Sequence, residues 1–346
     1  MFAVVVHGKN DLRVDELPQP TPGPQEVLIG VEWGGICGSD LAYVGSGISG
    51  TAVLKNPMVL GHEISGRVAA VGEGVDGAFV GQAVTVYPPT LVGDHVLPKR
   101  LAGRDNLYPQ VRYFGSAALD PHTDGGFAQY KVARADQIIV LPQGLDTKIA
   151  ALAEPTAVAL HAINRAGQVL AGGVSGRDIL VNGAGPIGLL VIALAKHFGA
   201  ASITAVDLSP AALELARKVG ATSTVCVPEQ DLTGEYELVF EASGAPQGVT
   251  SVLGATARGG AIIQVGNLPA APITAVLGAL VSKEIIWTGS FRFVEREMCE
   301  AVDLLGAGLD VSCLVTHEFA ATEAAAAFAA ASDKTLGASK VLLHFS

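Results

Sequence analysis

The sequence predicts an α/β chain of two domains, an irregular and mostly antiparallel β domain followed by a doubly wound parallel sheet. Three observations carry this. The first ~150 residues are rich in Gly, Pro and short β-branched runs such as Glu26-Val27-Leu28-Ile29-Gly30-Val31 and Gly81-Gln82-Ala83-Val84-Thr85-Val86, the texture of short strands closed by turns. From about Ala150 onward, apolar strands alternate with helical patterns, the mark of βαβ units on a parallel sheet. A chain of 346 residues also exceeds one ordinary core. The expected division is 1–148 for the first domain and 149–290 for the second, with 291–346 returning to complete the first.

Within the second domain, residues 178–182 form a short apolar strand and 186–198 a helix closed by Gly199. Residues 202–207 are the second strand. Ser209 then offers an N-cap, Pro210 takes the first helical position and Gly220 stops the helix, the Pro-start and Gly-stop asymmetry of helices. Further strands are expected at 222–227, 237–241, 261–266 and 284–288. Strands alternating with helices in this way make a doubly wound sheet the natural assignment. Beyond Phe291 an Ala-rich helix is expected at 322–331 and a last strand at 340–345. No internal repeat is visible.

The net charge of −11 disfavours nucleic acid, which is bound chiefly through Lys and Arg on phosphates. The longest apolar stretch, near 187–195, is far shorter than the ~20 residues that span a bilayer. Met1-Phe2-Ala3-Val4-Val5-Val6-His7-Gly8 has no basic n-region or small-residue cleavage site and reads as a first strand. The expectation is a cytoplasmic protein with small-molecule partners and no membrane or nucleic-acid contact. The four cysteines (Cys37, Cys226, Cys299, Cys313) show no paired spacing and suit reduced thiols.

Gly183-Ala184-Gly185-Pro186-Ile187-Gly188 is a GxGxxG fingerprint. Alone it is weak, but here it follows an expected strand and opens a helix. In that context the glycines permit a tight turn, close approach to a pyrophosphate and close helix packing. The anion then sits over the helix N-terminus. Asp207 lies nineteen residues after Gly188, close to the spacing of an acid that bonds the ribose hydroxyls. Leu208-Ser209-Pro210 follow it with no cation for a 2′-phosphate, so NAD is expected in preference to NADP.

Cys37 stands among glycines in Gly34-Gly35-Ile36-Cys37-Gly38-Ser39-Asp40, His62 and Glu63 follow an apolar run, and Glu154 precedes Pro155 at a helix start. Thiolate, imidazole and carboxylate together suit an open, catalytic zinc site. Taken singly, each has a bland reading: Cys37 as a small buried hydrophobe, His62 as a satisfied core histidine, Glu154 as an acid favoured by the helix dipole. Their distance in sequence leaves the choice open.

The whole chain resembles the medium-chain, zinc-dependent dehydrogenases, with the L-idonate 5-dehydrogenases as the nearest branch and the sorbitol dehydrogenases next. The matching pieces are Gly35-Ile36-Cys37-Gly38-Ser39-Asp40, Pro57-Met58-Val59-Leu60-Gly61-His62-Glu63, Phe114-Gly115-Ser116-Ala117, Asp124-Gly125-Gly126-Phe127, Ala153-Glu154-Pro155, Gly183 through Gly188 and Phe240-Glu241-Ala242-Ser243-Gly244. Gly289-Ser290-Phe291-Arg292-Phe293 and Asp333-Lys334-Thr335, with Phe114-Gly115-Ser116-Ala117, favour the idonate branch.

The resemblance implies a GroES-like catalytic domain joined to a Rossmann domain, and a hydride moved between NAD and a secondary alcohol of a sugar acid or polyol. It implies that Cys37 and His62 bind zinc, with either Glu63 or Glu154 as the further direct ligand. Asp40 is expected to orient His62 by accepting its free N–H. Ser39 is expected to take the hydroxyl proton. Phe114, His122 and Arg292 are expected in the substrate pocket, Arg292 gripping a carboxylate through paired hydrogen bonds. Val265 joins Gly183, Gly185, Pro186, Ile187, Gly188 and Asp207 as a cofactor-binding residue. Lys340 is considered for the cofactor phosphates. A homodimer or homotetramer is expected.

Two departures from the family pattern stand out. Ala42 replaces the His of many relatives. The stretch 87–112, where relatives hold a structural zinc on four cysteines, has no cysteine; Val92, His95, Pro98 and Tyr108 stand in that region. One zinc per chain is therefore expected, with the lobe held by packing of Leu91, Val92, Val96, Leu97 and Leu101. Two rival readings remain: a zinc-free quinone or enone reductase, opposed by Cys37, His62 and Glu63, and a non-enzymatic nucleotide sensor, opposed by the same set with Ser39.

Overall fold

The computed structural model describes residues 1–333 and 336–345. Two compact units form. One comprises Met1–Glu154, Val294–Ala307 and Val315–Ser346; the other comprises Pro155–Phe293 and Gly308–Leu314. The chain thus leaves the first unit at Glu154, and its return is interrupted, because Gly308–Leu314, expected with the first domain, packs with the second.

In the first unit, β1 (Phe2–Gly8) pairs antiparallel with Asp11–Glu16 and with Met58–Val59. The central strand is β2 (Glu26–Gly35), whose end leads through Ile36 and Cys37 into α1 (Gly38–Ser46). It pairs antiparallel with β3 (Glu63–Val71), in a register that sets Gly35 opposite Glu63. The strand Ala83–Val86 continues this sheet, and Tyr130–Arg134 pairs with the first half of β2. Alternate apolar side chains of these strands, Val27, Ile29, Val31, Ile64, Val68 and Val84, are buried with Phe127 in one core. This is the outcome expected when one face of each strand is apolar.

The lobe expected to lack a second zinc is a loop closed by a small hairpin, Pro89–Leu91 against β4 (Val111–Tyr113). Its expected apolar packing holds only in part, with Val92, Leu97 and Leu101 half-buried. Val96 is 93 % exposed and Leu91 42 %. Polar contacts add to it: the Tyr108 hydroxyl donates to the Gly93 carbonyl at 2.6 Å and accepts from the His95 N–H at 2.8 Å, and the Tyr108 and His95 rings meet edge to face. An exposed excursion gains little from apolar side chains that water still reaches.

Helix α2 (Ala153–Val169) leads to the second unit. Its sheet comprises β5 (Asp178–Asn182), β6 (Ser202–Asp207), β7 (Ser223–Cys226), β8 (Tyr236–Glu241), β9 (Thr256–Gln264) and β10 (Ile286–Gly289). All neighbours are parallel, in the order β7-β6-β5-β8-β9-β10, the Rossmann arrangement in which strand order reverses beside β5. Between β5 and β6 lies α3 (Pro186–His197), whose buried Leu189, Leu190, Val191, Ile192 and Leu194 explain its unbroken apolar sequence. After β6 comes α4 (Pro210–Val219), capped by Ser209 accepting from the Ala212 N–H and followed by Gly220. The fifth strand starts at Thr256, earlier than expected, because a register shift lets Thr256 pair with Tyr236.

On its return the chain forms α5 (Glu295–Gly306), then β11 (Val315–Ala320), the Ala-rich α6 (Ala324–Ser332) and β12 (Lys340–His344). β12 runs antiparallel to the end of β2, pairing Leu342 with Gly35 and Leu343 with Gly34. Lys334 and Thr335 of the Asp333-Lys334-Thr335 motif lie outside the described residues.

Candidate active site

Cys37 is the N-cap of α1 and Asp40 its third helical residue. The buried Asp40 carboxylate accepts the Cys37 N–H at 3.0 Å through one oxygen and the Gly61 N–H at 3.2 Å through the other. One side chain thereby ties the segment bearing Cys37 to the segment bearing His62 and Glu63. This corrects the expectation that Asp40 accepts the His62 N–H: its hydrogen bonds run to backbone donors, because the turn into α1 and the turn into β3 both leave N–H groups unpaired there. Burial raises the Asp40 carboxyl, opposed chiefly by His62.

One donor atom from each of Cys37, His62 and Glu63 can be chosen so that all lie within 4.8 Å of one another. His62 and Glu63 are buried and Cys37 is half-buried. Burial alone would lower the His62 pKa, but Cys37, Asp40 and Glu154 outweigh it and hold the imidazole well above its ordinary value. A buried cluster whose negative groups outnumber its cations is built for a cation. Sulfur, nitrogen and oxygen donors at this separation fit zinc.

The two glutamates are held differently. Lys340 Nζ donates to Glu63 at 2.8 and 2.6 Å and to the Ile36 carbonyl at 3.2 Å. Lys340 is therefore a buried partner of Glu63, not the surface or phosphate-reaching lysine considered from sequence; the pairing of β12 with β2 carries it inward. Burial tends to lower its pKa, and Glu63 and Cys37 reverse the shift. Glu154, in the first turn of α2, accepts the Tyr113 hydroxyl at 2.6 Å. Burial raises its carboxyl against the pull of His62. Tyr113 and the role of Lys340 were missed by sequence reasoning. Nothing local in the sequence marks either.

In the second unit, Gly183 turns the chain at φ +99° between β5 and α3, where any Cβ would lie 2.6 Å from the Ser243 nitrogen. A Cβ on Gly188 would meet the Gly183 carbonyl at 1.8 Å, so α3 packs this close only with glycine. Gly185 is the exposed N-cap and Pro186 and Ile187 open the helix. These features fit a pyrophosphate over the N-terminus of α3. Asp207 at the end of β6 accepts the Ala184 N–H at 2.7 Å and the Ser209 N–H at 2.9 Å, which locks its carboxylate beside this turn with lone pairs left over. Val265 follows β9 and donates its N–H to the Glu241 carbonyl. The fully buried Glu241 carboxylate is a further feature without a role assigned from sequence: it accepts from Asn182, Gln264 and the Ser243 and Gly244 N–H groups, clasping the ends of β5, β8 and β9.

The expected substrate residues are not alike. Phe114 is 7 % exposed, with Lys131 Nζ 4.2 Å from its ring centroid. His122 accepts the Lys55 and Asn56 N–H groups at Nε2, at 2.8 and 3.3 Å, and places Nδ1 3.2 Å from the Leu119 carbonyl. Both ring nitrogens thus take part in a loop clasp, and the ring also lines a cavity with Thr51, Lys55, Ala117 and Asp120. Arg292 belongs to the second unit, at φ +53°, with its guanidinium 4.9 Å from the Phe291 ring. Ser39 is half-buried in the first turn of α1, two residues from Cys37.

Residues 23–143 match the family model of the alcohol dehydrogenase GroES-like domain, and residues 186–307 match that of the zinc-binding dehydrogenases. The chain is 36% identical to sorbitol dehydrogenase of Bacillus subtilis (strain 168) over 329 residues, covering 92% of this chain and 90% of that protein. It is 36% identical to L-idonate 5-dehydrogenase (NAD(P)(+)) of Escherichia coli (strain K12) over 325 residues, covering 92% and 91%. The crystal structure of L-idonate 5-dehydrogenase from E. coli K-12 superposes with a TM-score of 0.89 at 35% identity, covering 99% of this chain and 98% of that one. With both halves matched and the donor set in place, the chain belongs to the zinc-dependent medium-chain alcohol dehydrogenase family, as an enzyme using zinc and a nicotinamide dinucleotide.

Proposed function

We propose that this enzyme oxidises a secondary alcohol of a sugar acid or polyol with NAD, that its first substrate is L-idonate in a reversible reaction giving 5-ketogluconate, and that each chain holds one zinc. The convergence of Cys37, His62 and Glu63 carries the reading, since a donor set of this kind has one chemistry in a dehydrogenase of this family. When bound there, zinc supplies the Lewis acidity that lowers the pKa of a substrate hydroxyl.

The chain's own groups do the rest. Cys37 and His62 are the soft and borderline donors, with Glu63 or Glu154 as the oxygen ligand. Asp40 positions the two donor segments. Ser39 takes the hydroxyl proton. Gly183, Gly185 and Gly188 admit the pyrophosphate, and Asp207 binds the ribose hydroxyls. NAD is favoured over NADP because Asp207 repels a 2′-phosphate and residues 208–210 supply no cation. Arg292 is the group assigned to a substrate carboxylate, and Phe114 an apolar boundary.

The equal identity to a sorbitol dehydrogenase supports polyol oxidation as the second reading. Assembly as a homodimer or homotetramer is supported by the sheet-edge strand β10, with Ile286 exposed and with exposed Val276, Leu277 and Val281 in the segment leading to it. A cytoplasmic location accords with the absence, among the described residues, of any helix long and apolar enough to cross a membrane.

The test is elemental analysis of the purified protein with assays of NAD reduction on L-idonate, sorbitol, xylitol and 2,3-butanediol, and of 5-ketogluconate reduction. One zinc per chain with idonate turnover supports the first reading. Turnover of polyols alone transfers support to the second. A protein that neither retains nor takes up zinc and has no turnover overturns both.

A further inference from the structure

Tyr113 touches two members of the metal centre, Glu154 and His62, without being a metal ligand itself. It closes β4, one strand of the small hairpin that begins and ends the cysteine-free lobe, and it is 8% exposed. Its hydroxyl donates to Glu154 Oε1 at 2.6 Å. Its ring lies edge to face with the His62 imidazole, centroids 5.5 Å apart and planes at 70°. The pairing Tyr113 with Pro89 and Arg112 with Thr90 sets this position through the backbone.

Resting on the metal reading above, we infer that Tyr113 is a positioning residue of the metal centre: its hydroxyl fixes one oxygen of Glu154 and leaves the other to face the metal, while its ring edge sets the plane of His62. A carboxylate in the first turn of a helix has several rotamers open to it, and a short hydrogen bond to an anion selects one. An imidazole ring packed edge to face likewise loses its rotation about the last side-chain bond. Both constraints act on donors, so they reach the metal through its ligands, as partners outside the ligand set generally do. The cysteine-free lobe is thereby coupled to the catalytic centre through one tyrosine.

The test compares wild type, Tyr113→Phe, Tyr113→Leu, Glu154→Ala and the Tyr113→Phe/Glu154→Ala pair. Zinc affinity is measured by competition with a chromophoric chelator, and the visible spectrum of the cobalt(II)-substituted protein is recorded. Nucleotide binding confirms that each variant is folded. Tyr113→Phe is expected to weaken zinc binding about threefold to tenfold and to shift the cobalt bands, and Tyr113→Leu, which also frees His62, by about tenfold more. On the Glu154→Ala background Tyr113→Phe is expected to have no further effect, because the hydroxyl acts through Glu154. Wild-type affinity and spectrum in Tyr113→Phe, or an effect that adds in full on the Glu154→Ala background, overturns the inference alone. A wild-type chain that takes up neither metal overturns the metal reading together with it.

Discussion

Lys340 Nζ lies 2.8 and 2.6 Å from the two carboxylate oxygens of Glu63, with side chains only 3% and 1% exposed, so the last strand delivers a buried cation to a candidate zinc ligand. The pair is not simply a source of stability. Two desolvated charges roughly offset their own cost, whereas removing one partner strands the other.

Lys340→Met is therefore expected to destabilise the metal-free protein by about 3–5 kcal/mol, read by urea unfolding. Adding Glu63→Gln to it should recover part of that loss, since the stranded charge is then gone. Equal stability of Lys340→Met and wild type would show that water reaches Glu63.

Asp40 holds two backbone segments at once, so Asp40→Ala should release both. The expected result is a zinc affinity lower by about 10–100-fold, measured by chelator competition. Asp40→Asn keeps one acceptor and should fall between the two. If Asp40→Ala retains full affinity, the segments are held without it.

Cofactor choice is expected to follow Asp207. Asp207→Ala should raise the KM for NAD by about tenfold or more while narrowing the gap to NADP, because two charge-assisted ribose bonds and one repulsion disappear together. Gly188→Ala is a sharper probe: its Cβ has no room beside the Gly183 carbonyl. It should abolish nucleotide binding in a protein that still takes up zinc, as read by fluorescence titration with NADH.

Lys131 donates to the Asp124 carbonyl at 2.6 Å, and burial, opposed by Asp124, pushes its pKa from 10.5 down to about 8. The folded chain therefore sheds this proton first as pH rises. Between about pH 8 and 10.5 the unfolded state binds more protons, so this group's contribution to stability increases with pH in that window and is flat below it. Urea unfolding at pH 7.5 and 9.8 should show wild type gaining on Lys131→Met by on the order of 1–2 kcal/mol. A constant difference between the two proteins would mean that Lys131 titrates as a solvated lysine.

The Rossmann unit was largely legible in the sequence, and so was its cofactor turn. Strand, glycine turn, helix and terminal Asp207 follow one another within thirty residues, and each obeys local rules: Gly where φ is positive, Pro210 at a helix start, Ser209 at a cap. The first unit was legible only as a texture. Its lobe shows why: Leu91 and Val96 look like packing residues by type, yet no element covers them, while Tyr108, which reads as an ordinary aromatic, holds the loop through its hydroxyl. His122 reads as a pocket histidine, and the sequence gives no sign that it also accepts the N–H groups of Lys55 and Asn56, more than sixty residues away.

The sequence by itself determined the residue types of the metal centre, the nucleotide turn and the alternation of strands with helices in the second unit, because those depend on short spacings and on chemistry that few side chains possess. Tertiary structure alone decided which partner holds each buried charge: Asp40 takes two backbone N–H groups instead of an imidazole, Glu63 takes Lys340 from the far end of the chain, and Glu154 takes Tyr113 from the lobe. The reason is physical. A buried charge must be compensated by whatever group the fold brings within about 3 Å, and that proximity is a property of strand register and packing, which leave no mark at the sequence positions they join.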